Sequence, residues 1–163
     1  MDPTGPHRES TVTFDVVDPA SADARVAIGQ YFAELDARFS DGFDPGAGGA
    51  GHDAEHLSAP TGAFVVARRD VLVVGCGGVQ RVDAETAEIK RMWVLADERG
   101  HGLGRRLLAH LEGVARSLGY GRVVLDTNAS LTEAITMYCR SGYRTIERYN
   151  DNPYAHHWFA KDL

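Results

Sequence analysis

Cysteine is scarce in this chain of 163 residues, with Cys76 and Cys139 the two it has. They lie 63 positions apart with no paired spacing, and no cysteine/histidine cluster of the zinc-binding kind accompanies them. A disulfide framework is excluded, and free thiols in a reducing cytoplasm are expected. Long apolar runs are missing too. None approaches the ~20 residues that cross a bilayer as a helix, and the polar start, Met1 to Ser10, lacks the apolar stretch of an export signal. That start reads as a disordered leader, followed by a single domain over residues 11–163.

Positive charge is also short overall. The net charge of −6 argues against nucleic acid as a general partner, but the distribution is uneven. From Arg99 to Arg148 eight arginines face four carboxylates, while the rest carries nine basic and nineteen acidic residues. A basic segment in an acidic chain suits an anionic, phosphorylated ligand or a solvated helix face. With 44% hydrophobic and 25% charged residues, the chain has enough apolar content to bury a core without staples.

Val12, Phe14 and Val16 alternate with polar residues and predict a strand. Ser21 can cap a helix carrying Ala24, Ile28, Tyr31, Phe32, Leu35 and Phe39 at helical spacing. Residues 41–62, rich in Gly, Asp and Pro, read as a mobile loop. Strands over 63–68, 71–82 and 86–95 should form an antiparallel meander, with Gly75, Gly77 and Gly78 marking a bulge or close backbone approach. Leu103, Leu107, Leu111, Val114 and Leu118 make one helix face, closed by Gly119. A buried strand over 122–127 follows. Ser130-Leu131-Thr132-Glu133 has the form of a capping box, opening a helix that ends at Gly142. Residues 143–161 complete a hairpin around Asn150-Asp151-Asn152-Pro153. The sum is a mixed α/β (α+β) layer structure.

The chemistry concentrates where the strand through Glu88 and Val94 leads, by way of Ala96-Asp97-Glu98, into Arg99-Gly100-His101-Gly102-Leu103-Gly104 and then directly into a helix. A helix start offers unbonded N–H groups and partial positive charge. Glycines let phosphate oxygens reach them, and Arg99, Arg105 and Arg106 add charge. A P-loop is excluded by the absent Lys-Ser/Thr ending. A dinucleotide site would use Asp126 as its acidic residue, but the glycines follow their strand too late and at the wrong spacing.

Coenzyme A remains. Arg99-Gly100-His101-Gly102-Leu103-Gly104 resembles the Arg/Gln-x-x-Gly-x-Gly/Ala signature of the GNAT superfamily of N-acetyltransferases. Its setting adds specificity: a preceding Glu-x-Lys-Arg-Met-x-Val strand, then Ala134-Ile135-Thr136-Met137-Tyr138 and Gly142-Tyr143, which resemble the family's second motif. The element order matches over nearly the whole chain.

The resemblance implies a twisted mixed sheet of about seven strands flanked by about four helices, splayed at an acetyl-CoA site. It implies acetyl-CoA as co-substrate, a small-molecule amine or else a protein lysine or N-terminus as acceptor, and edge strands as a route to a homodimer; the residues themselves give no reason to expect a metal or a membrane partner. Met92, Trp93 and Val94 would contact the pantetheine arm, with an N–H near Val94 polarising the thioester. Arg99, Gly100, His101, Gly102, Leu103, Gly104 and Arg105 would hold the diphosphate.

Glu88 is the candidate general base, or a strand carboxylate paired with Lys90, Arg91 or Arg81; Glu85 is the weaker alternative. Even spacing places Glu88, Lys90, Met92 and Val94 on one face unless a bulge intervenes. Tyr138 is the candidate general acid, or a core tyrosine on the face of Leu131, Ala134 and Ile135. Asn128 binds the pantetheine amide or shapes a turn. Cys76 and Cys139 lack histidine partners in sequence and read as inert. His156 and His157, adjacent on a strand, point to opposite faces and cannot line one site together. The competing class is a non-catalytic acyl-CoA-binding module.

Overall fold

The computed structural model describes residues 11–163; the expected leader lies outside them. In chain order the elements are β1 (Val12–Val17), α1 (Ala22–Arg38), a 3-10 turn (Ala50–His52), α2 (Asp53–His56), β2 (Ala63–Arg69), β3 (Leu72–Arg81), β4 (Thr86–Val94), a second 3-10 turn (Ala96–Glu98), α3 (Leu103–Ser117), β5 (Arg122–Thr127), α4 (Thr132–Arg140), β6 (Arg144–Thr145) and β7 (His157–Asp162). One seven-stranded sheet runs β1-β2-β3-β4-β5-β7-β6. The meander of β2, β3 and β4 is antiparallel, as the short turns require. Among the described residues no helix is long and apolar enough to cross a membrane.

Helices cover both faces. Leu107, Leu108, Leu111 and Ala115 of α3 pack on Val65, Val79, Ile89 and Val123. On the other face Ala24 and Ala27 of α1 meet Phe64, Val66, Cys76 and Trp93, with Leu57 fully buried among them. Ser21 caps α1 by accepting from the Ala24 N–H, and Gly119, at φ 96°, ends α3 in the left-handed region where glycine is unstrained.

The one parallel pairing shapes the site. β4 and β5 are in register at Thr86–Arg122, Ala87–Val123 and Glu88–Val124. Beyond Glu88 they part, and Ile89 to Val94 run on with no strand paired on that side among the described residues. The central sheet therefore opens into a wedge.

A bulge lies on the open strand. β3 and β4 lose register between Cys76 and Gly78, with one extra residue on β4 where Arg91 takes φ 56°. The alternation is reset: Glu88 opposite Gln80, Lys90 opposite Gly78 and Trp93 opposite Cys76 share a face, and Val94 opposite Gly75 takes the other. The even-spacing expectation for Glu88, Lys90, Met92 and Val94 is thus corrected. The glycine expectation for β3 is met. A Cβ at Gly75 would lie 2.9 Å from the Trp93 carbonyl oxygen, and one at Gly78 would lie 2.8 Å from Leu57 Cδ2.

Three local expectations fail for the same reason, capture by a distant partner. Segment 41–62 is folded rather than a featureless loop. Asp53 pairs with Arg91 at 2.9 Å in a buried ion pair, Arg91 also donates to the Gly48 carbonyl, and its guanidinium lies over the Phe32 ring. This network also braces the left-handed Arg91 against its cost of about 1–2 kcal/mol. The capping box does not form: Glu133 is taken by Arg38, and the Ser130 hydroxyl by Asn128. The closing hairpin shrinks to β6, because residues 149–152 turn away from β7 toward the wedge.

Candidate active site

Two cavities flank the wedge and share a wall. One, of about 450 Å³, is lined by Met92, Trp93 and Val94 of β4, by Arg99, Gly100 and Gly102, by Leu103, Gly104 and Arg105 of α3, and by α4 from Ala134 to Arg140. The other, of about 480 Å³, holds Glu88 of β4, where the pairing with β5 stops, and Asp126 near the end of β5. Tyr31, Met92, Leu131, Ala134 and Tyr138 belong to both linings.

The first cavity fits a phosphorylated, extended ligand. Gly100 and Gly102 have φ of 83° and 82°, and the first intrahelical bond of α3 is Arg106 N–H to Gly102 O. No side chain caps α3, so its leading amides face the cleft unclaimed, with the helix's partial positive charge behind them. A Cβ at Gly104 would sit 3.1 Å from Met137 Sδ, so α4 closes on the helix start at the spot where the smallest residue stands. Along β4 the Leu95 N–H bonds to Val74 on β3. Alternation turns the Val94 N–H the other way, toward the opening.

Ion pairs frame the mouth. Arg99 donates to the Val94 carbonyl at 3.0 Å and pairs with Glu34 of α1; Arg38 pairs with Glu133 of α4. The Arg99 guanidinium is thus committed to protein groups. Arg105 and Arg140, exposed at the rim, make no ion pair among the described residues. The chain's residues fit the adenosine-diphosphate and pantetheine portions of coenzyme A. Two expected contacts are not in the cleft. His101 is exposed and outside its lining. Asn128 spends its amide donor on the Tyr154 carbonyl and its oxygen on Ser130, which is the turn-forming role.

In the second cavity Glu88 is 6% exposed. Its Oε1 accepts from Gln80 at 2.8 Å; its Oε2 accepts from the Tyr149 hydroxyl at 2.6 Å and from Asn150 at 3.3 Å. Lys90 Nζ is 3.9 Å away, so the carboxylate and the lysine are neighbours as the structural alternative held. Burial raises the Glu88 pKa above its ordinary value, with Lys90 and the hydrogen bonds opposing and Asp126 adding to the rise. A carboxyl group shifted upward this way is a stronger base once ionised.

Tyr138 is 7% exposed and packs against Tyr143 and Phe159. Burial raises its phenol pKa far above the usual value, so it stays protonated at neutral pH. Its hydroxyl makes no hydrogen bond to the described residues. The buried side-chain atoms that are sealed and unpartnered among them are Arg122 Nε and Ser141 Oγ, so the Tyr138 hydroxyl opens on cavity space.

A sequence profile of the acetyltransferase (GNAT) family matches residues 30–143. The chain belongs to the GNAT family. This GNAT chain is 39% identical over 93 residues to the IAA acetyltransferase of Azospirillum brasilense, covering 56% of this chain and 60% of that protein. It is 33% identical over 93 residues to the uncharacterized N-acetyltransferase YjgM of Escherichia coli, covering 55% and 56%. The match thus spans less than two thirds of either relative. In fold it resembles a GNAT acetyltransferase of Staphylococcus aureus, at TM-score 0.77 and 17% identity over 93% of this chain and 99% of that one. It also resembles a GNAT acetyltransferase of Elizabethkingia anophelis with acetyl-CoA bound, at TM-score 0.59 and 16% identity over 93% and 98%.

The other sequence candidates fall outside the site. Glu85 lies on the exposed β3–β4 turn. Cys76 is buried and its thiol pKa is pushed far up by burial, and Cys139 is exposed; both are free. His156 accepts from the Ala129 N–H and is exposed, while His157 sits beside Phe159. Sequence reasoning missed Asp126 as a cavity residue, and Tyr149, Asn150 and Asn152 as its companions. The polar run Asn150-Asp151-Asn152 in the closing hairpin was the available signal.

Proposed function

We propose that this chain is an acetyl-CoA-dependent N-acetyltransferase that moves the acetyl group directly onto a primary amine of a small molecule. One observation supports the reading: the wedge between β4 and β5 joins a cleft lined by the glycine-rich start of α3 to a second cavity through a wall that holds Tyr138, with Glu88 beyond it. Acetyl-CoA supplies an activated thioester when bound. Leu103, Gly104 and Arg105 offer amides to its diphosphate, and the Val94 N–H is available to the thioester oxygen, a kind of contact worth about 10²–10³ in rate.

Glu88 takes a proton from the acceptor nitrogen, which enters as an ammonium. The nitrogen then attacks the acetyl carbon, the C–N bond forms, the C–S bond breaks, and the nitrogen loses its second proton. Tyr138 protonates the departing thiolate and is reprotonated in turn. Ammonium and thioester give amide, free thiol and one proton. Segments 47–49 and 149–155 wall the acceptor side. Two free thiols suit a reducing compartment such as the cytoplasm.

Release of free thiol from acetyl-CoA is measured against a panel of primary amines. Turnover with at least one amine is expected. Thermal stabilisation by coenzyme A with no thiol released by any amine would mean a binding module instead.

A further inference from the structure

The second cavity has chemistry that selects its occupant, and the selection rests on the acetyltransferase reading above. Asn150 Nδ2 donates to Glu88 Oε2 at 3.3 Å and to Asp126 Oδ2 at 2.6 Å, so the two carboxylates stand within about 6 Å of each other. Asn152 donates to the other Asp126 oxygen at 3.1 Å, and Trp158 Nε1 fixes the Asn150 side chain at 2.9 Å.

Charge is balanced differently at the two. Glu88 has Lys90 beside it; Asp126 makes no ion pair among the described residues. The cavity's remaining charges are accounted for. Arg91 is paired with Asp53, Asp151 with Arg148, and Arg81 is exposed to solvent. Asp126 is therefore a half-buried carboxylate with no ion-pair partner among the described residues, held in place by Asn150 and Asn152. The unpartnered Tyr138 hydroxyl opens on the same space.

Across the cavity stand three rings, Phe39 and Phe43 from the turn that ends α1 and Tyr154 from the segment before β7. Phe43 lies 4.8 Å from Tyr154, Phe39 lies 5.6 Å from Tyr154, and Phe39 lies 6.0 Å from Phe43, centroid to centroid. The Tyr154 hydroxyl accepts from the Asp44 N–H at 2.8 Å, which locks the wall. All three rings are half-buried and line the cavity. Tyr154 lies 27° from the Phe39 plane and 48° from that of Phe43, and Phe39 meets Phe43 at 73°, so the rings form an angled apolar wall that can receive an aromatic group by face or by edge.

We propose that the acceptor is a cationic primary amine carried on an aromatic body, with Asp126 receiving the ammonium group and Phe39, Phe43 and Tyr154 receiving the ring. An amine that also carries a carboxylate meets an uncompensated anion at Asp126, and like charge disfavours it.

The test compares kcat/KM for phenethylamine, butylamine and phenylalanine as acceptors, by thiol release. Phenethylamine is expected to exceed each of the others at least tenfold. Asp126→Asn should raise its KM at least tenfold while coenzyme A stabilises the variant as it does the wild type. Phe43→Leu, a change on an irregular segment, should weaken phenethylamine and leave butylamine within twofold. Phenylalanine used as well as phenethylamine, or an unchanged KM in Asp126→Asn, overturns the inference. If no amine releases thiol, the acetyltransferase reading fails separately. Calorimetric binding of phenethylamine then decides the inference: affinity lost at least tenfold in Asp126→Asn supports it, and no binding to the wild type refutes it.

Discussion

Replacing Tyr149 by Phe isolates one hydrogen bond on the candidate base. The Tyr149 hydroxyl donates to Glu88 Oε2 at 2.6 Å, and that oxygen's other donor, Asn150, is at 3.3 Å. Removing the shorter bond removes support for the ionised form, whose pKa burial already holds up. A hydrogen bond to a charged group contributes about 1.5–3 kcal/mol. Asn150 and Gln80 remain and water can take the vacated place, so about half of that is lost, about 1 kcal/mol or somewhat under one pKa unit. The sign is upward: with less stabilisation of the anion, Glu88 ionises at higher pH. The assay is the pH profile of kcat/KM by thiol release. Its acid limb should move up by somewhat under one pH unit, with the plateau above both values unchanged. An acid limb that stays in place, or moves down, would refute Glu88 as the titrating base.

Tyr138→Phe should lower kcat by about 10²–10³, yet leave Tm within a degree or so, because its hydroxyl makes no hydrogen bond to the described residues; the two are read by thiol release and thermal denaturation. Asp53→Asn strands the buried Arg91 charge and should cost about 3–5 kcal/mol in urea unfolding. Gly75→Ala puts a Cβ 2.9 Å from the Trp93 carbonyl oxygen, a backbone atom that cannot rotate away, and should cost about 1–3 kcal/mol in the same assay. Arg38 holds the Glu133 pKa down to about 2. The stability from that half-exposed pair is present above the ordinary glutamate value, about 4.3, and is lost as pH falls from there toward 2. It is worth under about 1 kcal/mol, so the small Tm advantage of wild type over Arg38→Met should fade over that interval.

The features legible in sequence are those with local signals. Alternation marked β1, and the helical spacing of Leu103, Leu107 and Leu111 marked α3. The glycine run between β4 and α3 pointed to the candidate cofactor cleft, because a backbone that presents amides to phosphate needs residues without side chains. Glu88 and Tyr138 were found through the family's motif rather than through any period.

What was hidden depends on partners far apart in the chain. Arg91 meets Asp53 across 38 positions and Tyr149 meets Glu88 across 61, and neither pairing leaves a trace in the intervening residues. The same contacts explain the errors. A composition rich in glycine suggested a mobile loop at 41–62, but one buried carboxylate anchors it. Glu133 fitted a cap, but a guanidinium claims it. The bulge at Arg91 reversed the face of Val94, and no strand propensity marks it in advance.

Titration of isotope-labelled protein with coenzyme A, followed by amide NMR, tests the central claim most directly. The backbone amides of Gly102, Leu103, Gly104 and Arg105 should show the largest shifts, together with Val94 on the open edge of β4. Saturable binding with those amides unmoved and the shifts clustered elsewhere would contradict the account.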